Sequence, residues 1–277
     1  MKEDNPAGPA LKFDHVSVAF DDKRALENVS FEVPPGDTRI LLGAAGSGKT
    51  TVLKAALGLI KPNSGRVFVF GRDITDMQED QLFDVRSKIG MLFQEGALFD
   101  SLTIAENVAY PLLNQEAIKC PLNEVQQRVT EALHFVELDQ TLARFPSELS
   151  GGMRRRAAIA RAVVTGPPLL LYDSPTAGLD PITAHTIMAL IVKERDVANT
   201  TTLIVTHRYQ DGNLVANFRY NPDNAQLVPV HDNGHGPQSW TRFMVLRDGK
   251  LVFEGTQAEL EASHDPYISK FRKQGGG

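Results

Sequence analysis

From Leu11 to Phe20 apolar and polar residues alternate around Phe13, Val16 and Val18, the two-residue period of a half-buried strand. Ala25 to Val33 reads as the returning strand of a hairpin across the polar turn Asp21-Asp22-Lys23-Arg24, and Pro34-Pro35-Gly36-Asp37 ends it. Arg39 to Leu42 is a short apolar run consistent with a buried strand, and a glycine-rich segment follows from Gly43. The period then changes. Val52, Leu53, Ala56, Leu57 and Ile60 fall on one side of a helix predicted over Lys49 to Ile60. After the turn Lys61-Pro62-Asn63-Ser64-Gly65 come a strand at Arg66 to Phe70, a helix at Met77 to Arg86 and a strand at Ile89 to Phe93.

Between about Thr103 and Thr165 the pattern is mostly helical, marked by Ile104/Val108/Leu112, Val125/Val129/Leu133/Val136 and Ala157/Ile159/Ala162/Val163. Strands return at Leu169 to Tyr172 and Thr202 to Thr206. The order predicts an α/β fold with a parallel-sheet core and a helical lobe inserted midway. Residues 209–240, rich in Asn, Asp, Gly and Pro and poor in periodicity, read as a long loop or surface insertion. Met244 to Leu246 and Leu251 to Phe253 flank the hairpin turn Arg247-Asp248-Gly249. The first ten residues read as frayed and Gly275-Gly276-Gly277 as flexible; no internal repeat is visible.

At 277 residues with 42% hydrophobic and 23% charged positions, the chain can bury a core without staples. A net charge of −5 lacks the basic footprint of non-specific nucleic-acid binding. Cys120, the single cysteine, excludes an intrachain disulfide and points to a reducing compartment. The start, Met-Lys-Glu-Asp-Asn-Pro, does not read as a secretory signal. No apolar run approaches the roughly 20 residues of a membrane-spanning helix; the best candidate, Ala157 to Tyr172, is broken by Arg161 and by Gly166-Pro167-Pro168. His231 and His235 suggest a metal pair at most weakly, because no further ligand set accompanies them.

The strongest chemistry is Gly43-Ala44-Ala45-Gly46-Ser47-Gly48-Lys49-Thr50, a full match to G-x-x-x-x-G-K-[ST] between an apolar strand and a helix. Glycines let backbone N–H groups turn inward around a phosphate, and the helix N-terminus adds partial positive charge. Lys49 can reach the β- and γ-phosphates and Thr50 can ligate Mg²⁺. Leu169-Leu170-Leu171-Tyr172-Asp173 is an apolar strand ending in a carboxylate placed to hold Mg²⁺.

Leu149-Ser150-Gly151-Gly152-Met153 makes the resemblance specific. It looks like the LSGGQ signature of ABC ATPases with Met153 in the usual Gln place, although Ser150 alone also reads as a helix N-cap. The resemblance covers roughly residues 11–208 and resumes at about 241–272. It implies an ABC ATPase nucleotide-binding domain: a P-loop parallel-sheet core with an antiparallel β subdomain and an inserted helical lobe. As a single domain over 1–277, this places the ATP-binding core with its β subdomain at 11–95 and 166–272, the helical signature lobe at 96–165 and the loop insertion at 209–240. The implied nucleotide site comprises Phe20 (adenine stacking, or else a hairpin aromatic), Gly43, Ala44, Ala45, Gly46, Ser47, Gly48, Lys49, Thr50 and Thr51, with Ser150, Gly151 and Gly152 facing the γ-phosphate bound by the other subunit. Thr50, Gln94 and Asp173 are the implied Mg²⁺ positions. Lys49, Gln94, Asp173, Ser174 and His207 are the implied catalytic set, with Gln94 resembling the Q-loop glutamine, Ala177-Gly178-Leu179-Asp180 the D-loop, and His207 the switch histidine.

One departure matters. The family places Glu directly after the Walker B Asp, and here Ser174 follows Asp173. Serine is a poor base near neutral pH, and loss of a general base typically costs a factor of about 10² to 10⁴ in rate. Three readings stay open: slow or partner-stimulated hydrolysis, which we favour; pairing with a different, competent subunit; or an ATP-gated clamp that barely hydrolyses.

Phe93-Gln94-Glu95-Gly96-Ala97-Leu98-Phe99-Asp100-Ser101-Leu102-Thr103 resembles the corresponding stretch of Mla-type (maintenance of lipid asymmetry) ATPases, as do Ser150 to Ala162, Asp180-Pro181-Ile182-Thr183 and Asp265-Pro266-Tyr267-Ile268 with Phe271. This implies a cytoplasmic ATPase homodimer peripheral to the inner face of the plasma membrane, bound to membrane permease subunits and moving phospholipid or other hydrophobic cargo, with a mammalian-cell-entry-type lipid-binding protein beyond the membrane. Ala97, Leu98, Phe99 and Leu102 form an apolar patch in a loop, which suits a permease partner or packing onto the helical lobe. Arg154 to Arg156 read equally as a solvated helix face. A soluble ABC ATPase of translation or DNA repair ranks low, because such proteins usually carry two cassettes or a long coiled coil.

Overall fold

Strands buried on both faces need apolar residues at every position, whereas a half-buried strand alternates, and this chain uses both kinds. The computed structural model describes residues 8–21, 23–115, 117–118, 120–230 and 240–273. The elements in chain order are β1 (Leu11–Phe20), β2 (Lys23–Val33), β3 (Thr38–Leu42), α1 (Lys49–Ala56), β4 (Ser64–Val69), β5 (Arg72–Asp73), α2 (Glu79–Arg86), β6 (Ile89–Leu92), α3 (Ile104–Asn114) and α4 (Leu122–Phe135). There follow α5 (Gly151–Val163), β7 (Leu169–Asp173), α6 (Pro181–Ala198), β8 (Thr201–Thr206), α7 (Tyr209–Asn217), β9 (Phe218–Asn221), β10 (Gln226–Pro229), β11 (Thr241–Arg247), β12 (Lys250–Gly255), α8 (Gln257–Ala262) and α9 (Pro266–Lys273). Asp22 of the first turn, His231, His235 and Gly275 to Gly277 lie outside the described residues.

The central sheet runs β12-β11-β3-β8-β7-β6, parallel except for the antiparallel edge pair β11/β12. Every residue of β3, β7 and β8 is buried. Alternate residues serve opposite faces. Ile40, Leu42, Tyr172, Ile204 and Phe243 join a core with Ile104 of α3, Leu133 of α4, Ile159 of α5, Ile187 of α6 and Val215 of α7. Leu41, Leu171, Leu203, Val205 and Met244 point the other way, toward Phe13, Val16 and Phe31 of a second, antiparallel sheet, β2-β1-β4-β5, and toward Leu53 of α1. Phe13 stacks on Phe31 at 4.7 Å between ring centroids.

Two expectations need correction. The helix predicted to Ile60 stops at Ala56, because Gly58 adopts a left-handed φ of 63° and its N–H turns back to the Ala55 carbonyl, a glycine C-terminal stop. The segment 209–240 is not a loop over its described part. It forms α7 and the hairpin β9/β10. Its low periodicity hid a helix held by packing: a Cβ on Gly212 would fall 2.6 Å from a Phe243 ring carbon and 2.9 Å from Ile40, so the glycine lets α7 lie directly on the sheet.

Among the described residues no helix is long and apolar enough to cross a membrane. A buried acid inside the helical face has a measurable consequence. Burial raises the Glu194 carboxyl from 4.5 to about 7, with Lys193 opposing the shift. Between those values the native state holds more protons than the unfolded chain, so stability falls as pH rises from about 4.5 to about 7. Glu194→Gln should remove this dependence, gaining up to ~3 kcal/mol relative to the parent at pH 8 over pH 4.5. Urea unfolding at the two pH values measures it, and parallel profiles would contradict it.

Candidate functional site

The parallel strands deliver their chemistry at one edge, their C-terminal ends, where ligands bind in open α/β sheets. Register decides which residues are level. Leu42 pairs with Thr206, placing Gly43 beside His207. Asp173 pairs with Val205, placing Ser174 beside Thr206. Leu92 pairs with Tyr172, so Gln94, two residues on, comes level with Ser174.

The loop after β3 is shaped by contacts that only glycine tolerates. Gly48 sits at φ 107°, where a Cβ would lie 2.4 Å from the Ala25 carbonyl oxygen, and a Cβ on Gly43 would meet Ser47 Oγ at 2.4 Å and the Leu246 oxygen at 2.7 Å. The hairpin turn after β11 supports the loop from beneath, with Gly249 N–H donating to the Ser47 oxygen at 3.1 Å. Lys49 opens α1 and is buried. Its Nζ donates to the Gly43 and Ala44 oxygens, both at 2.8 Å, so the ammonium lies curled within the loop. Burial lowers its pKa and the nearby Asp173 carboxylate opposes that. The Ser47 hydroxyl is buried without a hydrogen-bond partner among the described residues. Ala45 and Gly46 form the exposed bend of the loop, and Thr51 follows Thr50 in the first turn of α1.

Thr50 and Asp173, 123 residues apart, meet here: Thr50 Oγ1 donates to Asp173 Oδ2 at 2.9 Å. Ser174 Oγ donates to Asp173 Oδ1 at 3.1 Å, and the Ser174 N–H donates to the Val205 oxygen at 2.8 Å. Ser174 has a left-handed φ of 47°, a conformation L residues rarely adopt. This junction offers hard oxygen atoms beside a cationic, amide-lined loop, which suits an anion carrying a divalent cation. Among the described residues no three His, Cys, Asp or Glu side chains converge on a metal-sized point. Protein oxygens here, with phosphate oxygens and water completing the shell, would suit Mg²⁺.

His207 is exposed immediately beyond β8. The loop bearing it is tied down by a residue that sequence reasoning missed. Asp211 of α7 is buried and accepts from Thr206 Oγ1 and Thr176 Oγ1, each at 2.7 Å, joining the end of β8 to the segment after Asp173. Burial raises its pKa, while both threonines and Arg208 oppose the rise. Arg155 was missed too. It is buried, not solvated, and its guanidinium donates to the Gln94 and Phe93 oxygens and, at 3.3 Å, to the Ala177 oxygen. One side chain on α5 thus joins the segments after β6 and after β7. The signal was present, since Arg155 precedes the buried Ala158 and Ile159 by three and four positions and so shares their face. Arg154 and Arg156 also turn onto backbone, to the Leu149 oxygen and to the Val136 and Glu137 oxygens.

Two further groups of expected residues lie on other elements, the end of β1 and the start of α5. Phe20 ends β1 with half its surface exposed. Ser150 caps α5, accepting from the Met153 N–H at 3.2 Å; among the described residues no hydrogen bond or ion pair joins Ser150, Gly151 or Gly152 to the loop Gly43–Thr50. Beside Gln94, Phe93, Phe99 and Tyr110 line an exposed apolar groove with Met91 and Pro111. Phe99 packs on Tyr110 at 4.6 Å and lies under Arg161, which also holds the Gly96 and Ala97 oxygens.

The ABC transporter family model matches residues 26–177, more than half of the chain. This chain belongs to the ABC transporter ATP-binding family. The intermembrane phospholipid transport system ATP-binding protein MlaF of Haemophilus influenzae is 34% identical over 252 residues, 91% of this chain and 86% of the relative. The probable ribonucleotide transport ATP-binding protein mkl of Mycobacterium leprae is 37% identical over 80% of this chain, and the match spans 62% of that longer protein. Among solved structures, the dimeric post-hydrolysis state of the cassette MJ0796 bound to ADP and Pi superposes with a TM-score of 0.73 at 30% identity, covering 89% of this chain and 98% of that one. The fold is therefore the ABC ATPase cassette, and the chain is an ABC transporter ATP-binding subunit resembling the Mla-type phospholipid ATPases.

Proposed function

We propose that the chain is the ATP-hydrolysing subunit of a transporter for phospholipid or another hydrophobic cargo, working as one half of a dimer. The observation that carries the ATP-binding part is the junction of Thr50 and Asp173 at 2.9 Å beside the buried Lys49. The cargo assignment rests on relatedness to MlaF over 91% of the chain. The loop amides and Lys49 would hold the β- and γ-phosphates, with the Ser47 hydroxyl adding a donor, and Phe20 would stack on the adenine. Thr50, Asp173 and Gln94 would hold Mg²⁺, which neutralises charge on the transferred phosphoryl group. His207 would contact the γ-phosphate. Ser150, Gly151 and Gly152, without a hydrogen bond to their own loop among the described residues, would serve the nucleotide of the other copy, in keeping with the dimeric MJ0796 cassette.

The apolar groove at Phe99 and Tyr110 would seat a permease segment, holding the subunit peripherally on the cytoplasmic side of the membrane; a mammalian-cell-entry-type protein across the bilayer would complete the transporter. Phe99→Asp should cut co-purification with the permease about tenfold or more while leaving ATP binding unchanged, because it removes the aromatic ring and places a charged, hydrated group in an apolar contact. Undiminished co-purification would place the permease elsewhere.

The reading as a whole is tested by ATP turnover of the purified chain, alone and with its permease pair, and by its mass in solution with and without Mg·ATP. Permease-stimulated turnover with an ATP-dependent doubling of mass supports it. A second reading, a non-hydrolytic ATP-gated assembly subunit, is favoured by one observation: the Ser174 hydroxyl is a donor committed to Asp173, not a base. Tight ATP binding without turnover in any preparation would select that reading.

A further inference from the structure

The C-terminal helix reaches the phosphate loop through the Tyr267 hydroxyl. Tyr267, in the first turn of α9, accepts from the Ala44 N–H at 3.0 Å and donates to the Leu246 oxygen at 3.1 Å. That N–H belongs to the peptide unit whose oxygen is Gly43 O, the acceptor 2.8 Å from Lys49 Nζ. The peptide is planar, and its N–H and C=O point in opposite directions. One amide plane is therefore pinned by Tyr267 at its nitrogen and by Lys49 at its oxygen. Turning it would carry Gly43 O away from the lysine. Hydrogen bonds at both ends of one amide also polarise each other.

The tyrosine is itself held. Asp265 caps the helix, accepting from the Tyr267 and Ile268 N–H groups, and pairs with Arg247 at 3.4 Å. Arg247 lies over the Tyr267 ring, and Phe271 meets the ring edge-on at 5.4 Å. Ile268 and Phe271 are buried in the helical-face core. The helix is thus docked through contacts outside the loop, and among the described residues the Tyr267 hydroxyl hydrogen-bonds the loop backbone.

We infer that Tyr267 is a positioning residue for the phosphate loop, coupling the docking of the C-terminal helix to ATP affinity through the Gly43–Ala44 peptide. This rests on the reading of Gly43–Thr50 as the ATP site. Coupling is reciprocal: if the docked helix favours nucleotide, nucleotide must favour the docked helix.

The test is Tyr267→Phe, which deletes the hydroxyl and keeps the ring contacts. Affinity for a fluorescent ATP analogue should fall about three- to tenfold, the size of one hydrogen bond, with KM raised, kcat little changed and the thermal midpoint retained. Ala44→Pro removes the same bond from the loop side, and Tyr267→Phe on that background should add nothing. Amide exchange in α9 should slow on adding ATP to the parent and not to Tyr267→Phe. If the parent binds the analogue and Tyr267→Phe binds it equally well, the coupling is absent and the ATP-site reading stands. If the parent itself does not bind, both fall. A variant with a lowered midpoint and unchanged affinity would make Tyr267 merely structural and overturn the inference.

Discussion

Lys49→Ala should abolish ATP turnover while leaving the fold intact. The two halves of that expectation come from the same burial. Lys49 is buried with its ammonium on the Gly43 and Ala44 oxygens, and burial depresses its pKa, so the folded protein holds this charge at a cost that the alanine variant does not bear. The thermal midpoint should therefore change little, relief of that cost being offset by the loss of two hydrogen bonds. Function goes the other way. Without the ammonium, two carbonyl oxygens would face the phosphates of the nucleotide uncompensated. Removing one preorganised donor from developing charge costs about 10² to 10³ in rate, and weaker ground-state binding adds to the loss. Initial-rate phosphate release, with calorimetric titration of Mg·ATP, measures both. Turnover within tenfold of the parent would mean that hydrolysis is not carried by this loop.

Much of this site was legible because strand ends and glycines leave strong marks. An apolar run, a glycine loop and a helical period at Lys49 mark a strand–loop–helix unit, and Asp173 and His207 close apolar strands that register brings level with it. What the pattern concealed were polar residues whose partners come from distant backbone. Arg155 looked like one charge among three on a helix surface, yet it spans to carbonyls 61 and 22 residues away. Asp211 fell in a stretch whose Gly and Asn lower helix propensity, and packing of Gly212 on Phe243 overrides that propensity. Tyr267 showed only as part of a resemblance, since no local period reports a contact across 223 residues to Ala44. The motif residues at the strand ends were readable; those that hold their loops in place were not, because their spacing is set by topology and not by helix or strand period.

Ser174→Glu should raise ATP turnover, by a factor of about 10² to 10³ where proton transfer limits the rate. The present hydroxyl donates to Asp173 and cannot accept a proton from water near neutral pH, whereas a carboxylate at that position can. Its neighbour helps: a second carboxylate beside Asp173 is pushed upward in pKa, toward the value a general base needs. The backbone is already arranged for the exchange, since the Ser174 N–H stays bonded to the Val205 oxygen and the left-handed φ of 47° is strained alike for serine and glutamate. ATP affinity should change little, because Thr50, Asp173 and the glycine loop are untouched, and the thermal midpoint should fall slightly from the added like charge. A rise in kcat at constant KM would show a cassette held at low turnover by a single residue. If the parent hydrolyses well and the variant does no better, another group positions the water, and His207, level with Gly43 at the end of β8, is the residue to replace next. If neither protein hydrolyses while both bind ATP, the deficiency lies beyond the base, and nucleotide binding by itself would be the event that opens and closes the dimer.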